Sequence, residues 1–317
     1  MGKRLICLIA TAVTVIGAVL MAVGYVASGK DFDNMSMSKI KTETYEPGED
    51  FDDITIKAGS ADVTLMLSED GKCKIDVKDF EGVAYTVKVE DGILSVNSKD
   101  DRSWYKKTFN FGFGTNRQYI KVYLPEKVYK SVKLSSSSGD IKVEKEIAAE
   151  SISVSASSGD VIQYGSADEV TISASSGDVK ADGTAKKISV DTSSGDIIYT
   201  CEADEVTVKA SSGDITVKGS ANTSLDVKTS SGDIAVHDIV CSGLLKMKST
   251  SGDIDFYSCD AGELQIEASS GDVDGSLLSE KIFSTSSKSG DIKVPKSSGG
   301  EICDVTTSSG DIEITIK

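Results

Sequence analysis

The 317-residue chain has one histidine, one tryptophan and no Cys-x-x-Cys pair. With His237 alone, no Ser-His-Asp set can be assembled, and neither a nucleophile elbow nor a metal-ligand cluster occurs. His237 follows Val236 in an alternating run and is expected to face outward. Positive charge is also scarce, with 34 Lys and Arg against 50 Asp and Glu for a net charge of −16. Such an acidic surface argues against nucleic acid or anionic lipid as partner, and permits cationic partners or divalent metal. Cys7 lies too near the start for a lipoprotein cysteine, and Cys73, Cys201, Cys241, Cys259 and Cys303 do not follow a zinc spacing. Cys241 and Cys259 fall at nearly the same phase of adjacent repeats, which leaves a disulfide geometrically open. Cys303 reads as a small hydrophobe.

What the chain has is a repeat. Ser-Gly-Asp occurs ten times, ending at Asp140, Asp160, Asp178, Asp196, Asp214, Asp233, Asp253, Asp272, Asp291 and Asp311, with spacings of 18 to 20 residues. A period that regular is the signature of a solenoid, one coil per repeat. Counted from each Asp, apolar residues form columns eight and six places before it (Val206 and Val208 before Asp214) and one and three places after it (Ile215 and Val217). The residue four places before is always small, as at Ala210. Period two on both sides of the motif predicts two short strands per coil, joined at a corner. Gly supplies the turn, and Asp and Ser can hydrogen-bond nearby backbone at that corner. Small residues at Ala149, Ala167, Ala185, Ala203 and Ala261 suggest a narrow third side.

Coils this short cannot hold a crossover helix, so the strands should stack parallel. The crossover preference then gives an all-β, right-handed parallel β-helix, a rod on the order of 50 Å. The register recurs once earlier, where Ile54, Ile56 and Ala58 precede Asp62, Val63 and Leu65. That first coil is separated from the others by a modified insert, 66–131, with strand-like runs at Cys73–Val77, Tyr85–Val89, Ile93–Val96 and Tyr119–Leu124.

Residues 5–27 are uncharged and mostly apolar, long enough to span a bilayer as a helix. Lys3 and Arg4 before them predict a cytoplasmic N-terminus and an extracytoplasmic remainder at the cell membrane. A cleaved signal peptide is the competing reading. The expected organisation is a cytoplasmic 1–4, a transmembrane helix 5–27, a stalk 28–50, an N-terminal coil with capping insert 51–131, and the repeat β-helix 132–317.

The apolar N-terminal segment, Ile54-Thr55-Ile56, Leu124-Pro125 and the recurrent Ser-Ser-Gly-Asp-(Ile/Val) resemble a bacterial family of unknown function whose members are labelled adhesins with β-strand repeats. The resemblance covers 50–317. It implies a cell-envelope protein with a β-helical ectodomain, and association with envelope stress, without assigning a ligand.

Two features are candidate sites. The ten corner carboxylates, Asp140 to Asp311, would stack at about the strand spacing. Calcium could neutralise them, but corner hydrogen bonds are the simpler use, so they are read as a structural turn ladder with no metal and no cofactor. The second feature is 102–119, where Trp104, Tyr105, Phe109, Phe111 and Phe113 lie among glycines and cations. It reads either as a ligand-binding loop for a cell-surface glycan or protein, or as a cap over the open end of the solenoid. The C-terminal end shows no comparable device, and its last coil is expected to be exposed. The functional expectation is a non-enzymatic, membrane-anchored binding protein, adhesin-like or an envelope-stress accessory. The alternatives are a structural or regulatory partner of a neighbouring membrane protein and, less favoured, a polysaccharide-acting enzyme with paired carboxylates.

Overall fold

The computed structural model describes residues 40–101, 117–200, 202–297 and 299–317, with isolated positions between 14 and 26. Most of 5–27, the first part of the stalk, and the loop bearing Trp104, Tyr105, Phe109, Phe111 and Phe113 lie outside the described residues. Among the described residues no helix is long and apolar enough to cross a membrane.

The apolar columns become the inside of a β-solenoid of about nine turns. In each coil a long strand leads into the Ser-Gly-Asp corner and a short one leaves it. Long strands stack parallel on long strands, short on short, in strict column register: Val206 lies beside Leu225 and Val208 beside Val227, while Ile215 lies beside Ile234. These residues are fully buried. The small-residue column also pairs coil to coil, Ala149 beside Ala167. One residue without a ladder partner, Glu150 or Asp168, sets it off from the long strand. Column +3 alternates in size: Phe256 fills the core only because its neighbour in the next coil is Gly275, where a Cβ would lie 2.2 Å from the ring.

The order of coils in space is not their order in the chain, and this happens at both ends. Near the N-terminus the elements are β1 (Ile40–Tyr45), β2 (Asp53–Ala58), β3 (Asp62–Leu67), β4 (Lys74–Phe80), β5 (Val83–Glu90), β6 (Ile93–Asp100) and β7 (Tyr119–Leu124). The first coil, β2 and β3, stacks directly on the Asp140 coil. Its other side is covered by β6 and β7, which form a further layer in the same register: Leu94 beneath Ile54, and Ile120 beneath Val63. The chain thus winds its first coil, steps outward to make the terminal layer, and returns past the first coil. Two antiparallel additions close this base, β4 then β1 beyond β7, and β5 beyond β6. Tyr45, Tyr85, Val87 and Val89 pack against the core there, and the Tyr85 hydroxyl donates to the buried Asp79. β1 lies inside the stretch expected to be stalk, because its alternation lets it extend the sheet edge.

The C-terminus mirrors this arrangement and corrects the expectation of an exposed last coil. Glu301–Thr307 and Ile312–Ile316 insert between the Asp272 coil and the Asp291 coil. The outermost coil is therefore Lys281–Ser287 with Ile292–Lys293. The core columns give the physical reason: the inserted coil offers buried Cys303, Val305, Ile312 and Ile314, whereas the Asp291 coil has Thr285 in an apolar column and an exposed Ile292. Burying the better coil and leaving the poorer one outside lowers the free energy. The outer edge is blunted by Lys288, Lys293, Pro295 and Lys296 and by a two-residue strand, devices that discourage edge pairing. Buried Lys281 reaches back across the inserted layer, its Nζ 2.5 Å from Asp260 Oδ1 and 2.9 Å from the Ala261 carbonyl.

Candidate functional site

The corners run as one straight edge of the rod. Each corner carboxylate accepts, through Oδ1, the backbone N–H of the next aspartate in the stack at 2.8–3.0 Å. The series begins at Asp62 and passes through Asp140, Asp160, Asp178, Asp196, Asp214, Asp233, Asp253 and Asp272. It then follows the altered coil order to Asp311 and ends at Asp291. The carboxylate serves the neighbouring coil rather than its own corner, which was the expected use. Corner glycines donate in the opposite direction, to the following coil, as from Gly213 N–H to Ser231 O at 2.9 Å. Gly213 has φ +145°, and a Cβ on it would lie 2.2 Å from the Gly195 carbonyl oxygen, so stacking and backbone conformation both demand glycine.

The Oδ2 atoms of the first two rungs face a cation. Arg117, emerging from the aromatic loop, places Nη1 4.0 Å from Oδ2 of both Asp62 and Asp140. Among the described residues no three His, Cys, Asp or Glu side chains converge as metal ligands. The outward face beside the ladder changes character along the rod. At the base Tyr119 lies between Lys78 and Lys121, and Tyr164 between Lys142 and Lys180, with ammonium-to-ring distances of 5.0–6.0 Å. Toward the far end the same positions hold Asp255, Asp274 and Glu313. Desolvation, and then repulsion from Asp255, Asp272 and Glu313, holds the Asp274 carboxyl above its ordinary range. His237 is half-buried and stacks on Tyr257 at 5.5 Å.

Cys73, Cys241, Cys259 and Cys303 are buried free thiols. Burial pushes Cys73 and Cys259 to about 11 and Cys303 to about 12. None of these three is a thiolate at neutral pH, which removes them as nucleophiles.

Trp104, Tyr105, Phe109, Phe111 and Phe113 lie outside the described residues. In the chain they fall between β6 and β7, which hold the register of the two strands that flank a Ser-Ser-Gly-Asp corner in the regular coils. Sequence reasoning missed this equivalence, although Leu94, Val96, Ile120 and Val122 carry the column pattern.

A parallel solenoid with a continuous corner ladder, closed at both ends and presenting polar faces along its length, defines a class of rod-like repeat protein. The chain belongs to the Toastrack DUF4097 family, whose sequence model matches residues 51–203 and again 200–317. No curated protein matches the chain. Among solved structures it is similar to a candidate adhesin from Bacteroides fragilis NCTC 9343, at 16% identity and a TM-score of 0.43 over 87% of this chain and 97% of that one. A candidate adhesin from Parabacteroides distasonis ATCC 8503 gives 16%, 0.45, 88% and 98%. A candidate lipid-binding protein from the same strain gives 18%, 0.44, 88% and 98%. At such identities and scores, what those proteins bind is a property of those proteins.

Proposed function

We propose that this protein is a non-enzymatic binding protein of the bacterial cell envelope, held in the cell membrane by residues 5–27, with the aromatic loop 102–116 as its contact. Lys3 and Arg4 ahead of the apolar segment support a cytoplasmic N-terminus and an extracytoplasmic rod. The crossover preference supports a right-handed coil. The observation that carries the reading is the replacement of one tight corner, in an otherwise regular stack, by a long loop rich in aromatics and cations. Loops on a rigid scaffold are where binding residues collect. The base of the core is covered by Tyr45, Tyr85, Val87 and Val89, so the loop aromatics are not needed as its lid.

The position of the loop favours a second reading of who the partner is. Residues 28–39 separate the apolar segment from β1, a reach of at most roughly 40 Å when fully extended. In this reading the base stays near the protein's own membrane. This suits a neighbouring membrane protein, or envelope polymer close to the membrane, better than a distant cell. Crosslinking on intact cells tests it: a photoreactive group at position 104 is expected to capture components of the same envelope. The reading fails if capture is equal from position 288 at the far tip. Release of the full chain from membranes by alkaline wash would overturn the anchor.

A further inference from the structure

At the tip the chain leaves the rod and comes back through one point. The outermost coil, Lys281–Ser287 with Ile292–Lys293, is entered at Glu280 and left at Gly300. Gly300 (φ +97°) lies against the Glu280 carbonyl, so closely that a Cβ on it would overlap the oxygen. Entry and exit are therefore neighbours, as in a compact loop that can swing about its two ends without disturbing what lies beyond them. Among the described residues this coil has a strand on one side only: Lys281–Ser287 pairs with Glu301–Thr307, and Ile292–Lys293 with Ile312–Ile316. Its inward residues Phe283, Thr285 and Val294 are half-buried and Ile292 is 41% exposed, whereas Cys303, Val305 and Ile312 beneath are fully buried.

The groups that fasten this coil are unequal. Lys293 Nζ lies 3.1 Å from Glu313 Oε2, an exposed pair, and Ser287 Oγ donates to the Gly310 carbonyl at 3.0 Å. At the other end buried Lys281 reaches across the inserted layer to Asp260 Oδ1 and the Ala261 carbonyl. A charged hydrogen bond held out of water is stronger than an exposed ion pair. The last coil divides its own backbone bonds between its two sides. Ser309 N–H donates inward to Ser269 O at 3.2 Å, and Asp311 N–H inward to Asp272 Oδ1 at 2.8 Å. Gly310 N–H donates outward to Ser289 O at 3.2 Å, and Ile312 N–H outward to Asp291 O at 2.9 Å.

We propose that residues 281–293 form a lid that opens as one piece about Glu280 and Gly300, with Lys281 as its latch, while the last coil stays seated. Inward, the last coil joins fully buried columns of the Asp272 coil. Outward, it meets a coil with Thr285 in an apolar column and Ile292 exposed. Lifting the lid bares one face of the last coil, whereas withdrawing the last coil bares both, so the lid opens at the lower free energy. Opening uncovers the edge of Glu301–Thr307 and Ile312–Ile316, strands without proline or lysine. It also frees Asp311 Oδ1, which in the closed form accepts the Asp291 N–H at 2.8 Å. The lid, with Lys288 and Lys293 on it and Pro295 and Lys296 just after it, thus shields a strand edge that has no such guards of its own. This inference does not depend on the ligand of the aromatic loop.

The test is residue-resolved hydrogen exchange of the full chain in detergent, corrected for intrinsic rates. Gly310 and Ile312, bonded to the lid, should exchange at least about ten-fold faster than Ser309 and Asp311, bonded inward, so that protection alternates along four successive residues. Among the described residues, amides of 281–287 that point away from the last coil have no partner strand, and these should exchange faster still. Lys281→Met should speed Gly310 and Ile312 about ten-fold or more and leave Ser309 and Asp311 unchanged. Lys293→Glu, at an exposed position compatible with folding, sets two carboxylates against each other across the lid and should speed the same two amides about two- to five-fold. One common rate for all four amides in the wild type would show that lid and last coil leave together, and overturns the inference. So does either variant moving all four alike, or Lys281→Met moving none.

Discussion

Gly213 is the position at which the stacking argument can be made quantitative. Its φ of +145° lies where an L-residue is strained, at a cost of about 1–3 kcal/mol. A Cβ would also sit 2.2 Å from the Gly195 carbonyl oxygen and 2.7 Å from its carbon, both backbone atoms that cannot swing aside. The coils must separate at that corner, which loosens Gly195 N–H to Ser212 O and Asp214 N–H to Asp196 Oδ1. Each such bond contributes about 1 kcal/mol net. Together these give roughly 3–5 kcal/mol for Gly213→Ala, with Val no milder. Thr216→Lys, outward on the next strand, should change stability by less than about 0.5 kcal/mol. Urea denaturation of the full chain in detergent, followed by far-ultraviolet circular dichroism, reads both. Equal midpoints for the two variants would refute the corner geometry. Gly213→Ala within about 1 kcal/mol of wild type would show that neighbouring coils need not approach so closely.

Three further outcomes follow from the packing. Gly275→Val should cost about 1–3 kcal/mol by colliding with the Phe256 ring, and Phe256→Leu in the same chain should recover part of it. Asp274 has a raised folded pKa, so the folded state holds its proton more tightly than the unfolded state. Its ionisation therefore lowers stability as pH rises through the folded value, and Asp274→Asn should raise the melting temperature at pH 7 but not once the carboxyl is already protonated. In hydrogen exchange, amides at Cys303–Val305 and Ile312–Ile314 should be better protected than those at Phe283–Thr285, although they lie nearer the chain end. The opposite ranking would contradict the inserted last coil.

The repeat was legible because every coil states the same columns. Ile215 and Val217 after Asp214 could belong to nothing but a strand leaving a corner. The insertion of the last coil was less so, because parallel coils in one register can stack in any order and each order satisfies the same pattern. Only residue quality distinguishes them, and Thr285, Lys288 and Pro295 were the signal that the Asp291 coil belongs outside. The base was less legible for a related reason: β6 and β7 carry the columns but not the corner, so their stacking in register on the first coil did not stand out within 66–131. The ladder was seen as a row of corner residues, but its direction, from each carboxylate to the next coil, depends on distances that spacing does not encode. The side chains that could name a ligand, Trp104 to Phe113, fall in the one stretch that breaks the pattern, so no column constrains them.

Replacement of Trp104, Tyr105, Phe109, Phe111 and Phe113 by serine, with melting temperature and binding of the full chain to isolated envelopes measured on the same preparation, tests the functional account most directly. An unchanged melting temperature, within the roughly 0.5 kcal/mol expected of exposed positions, together with loss of binding, is the predicted result. A loss of several kcal/mol, as for core aromatics, with binding per folded molecule intact would contradict it and return the loop to the role of a cap.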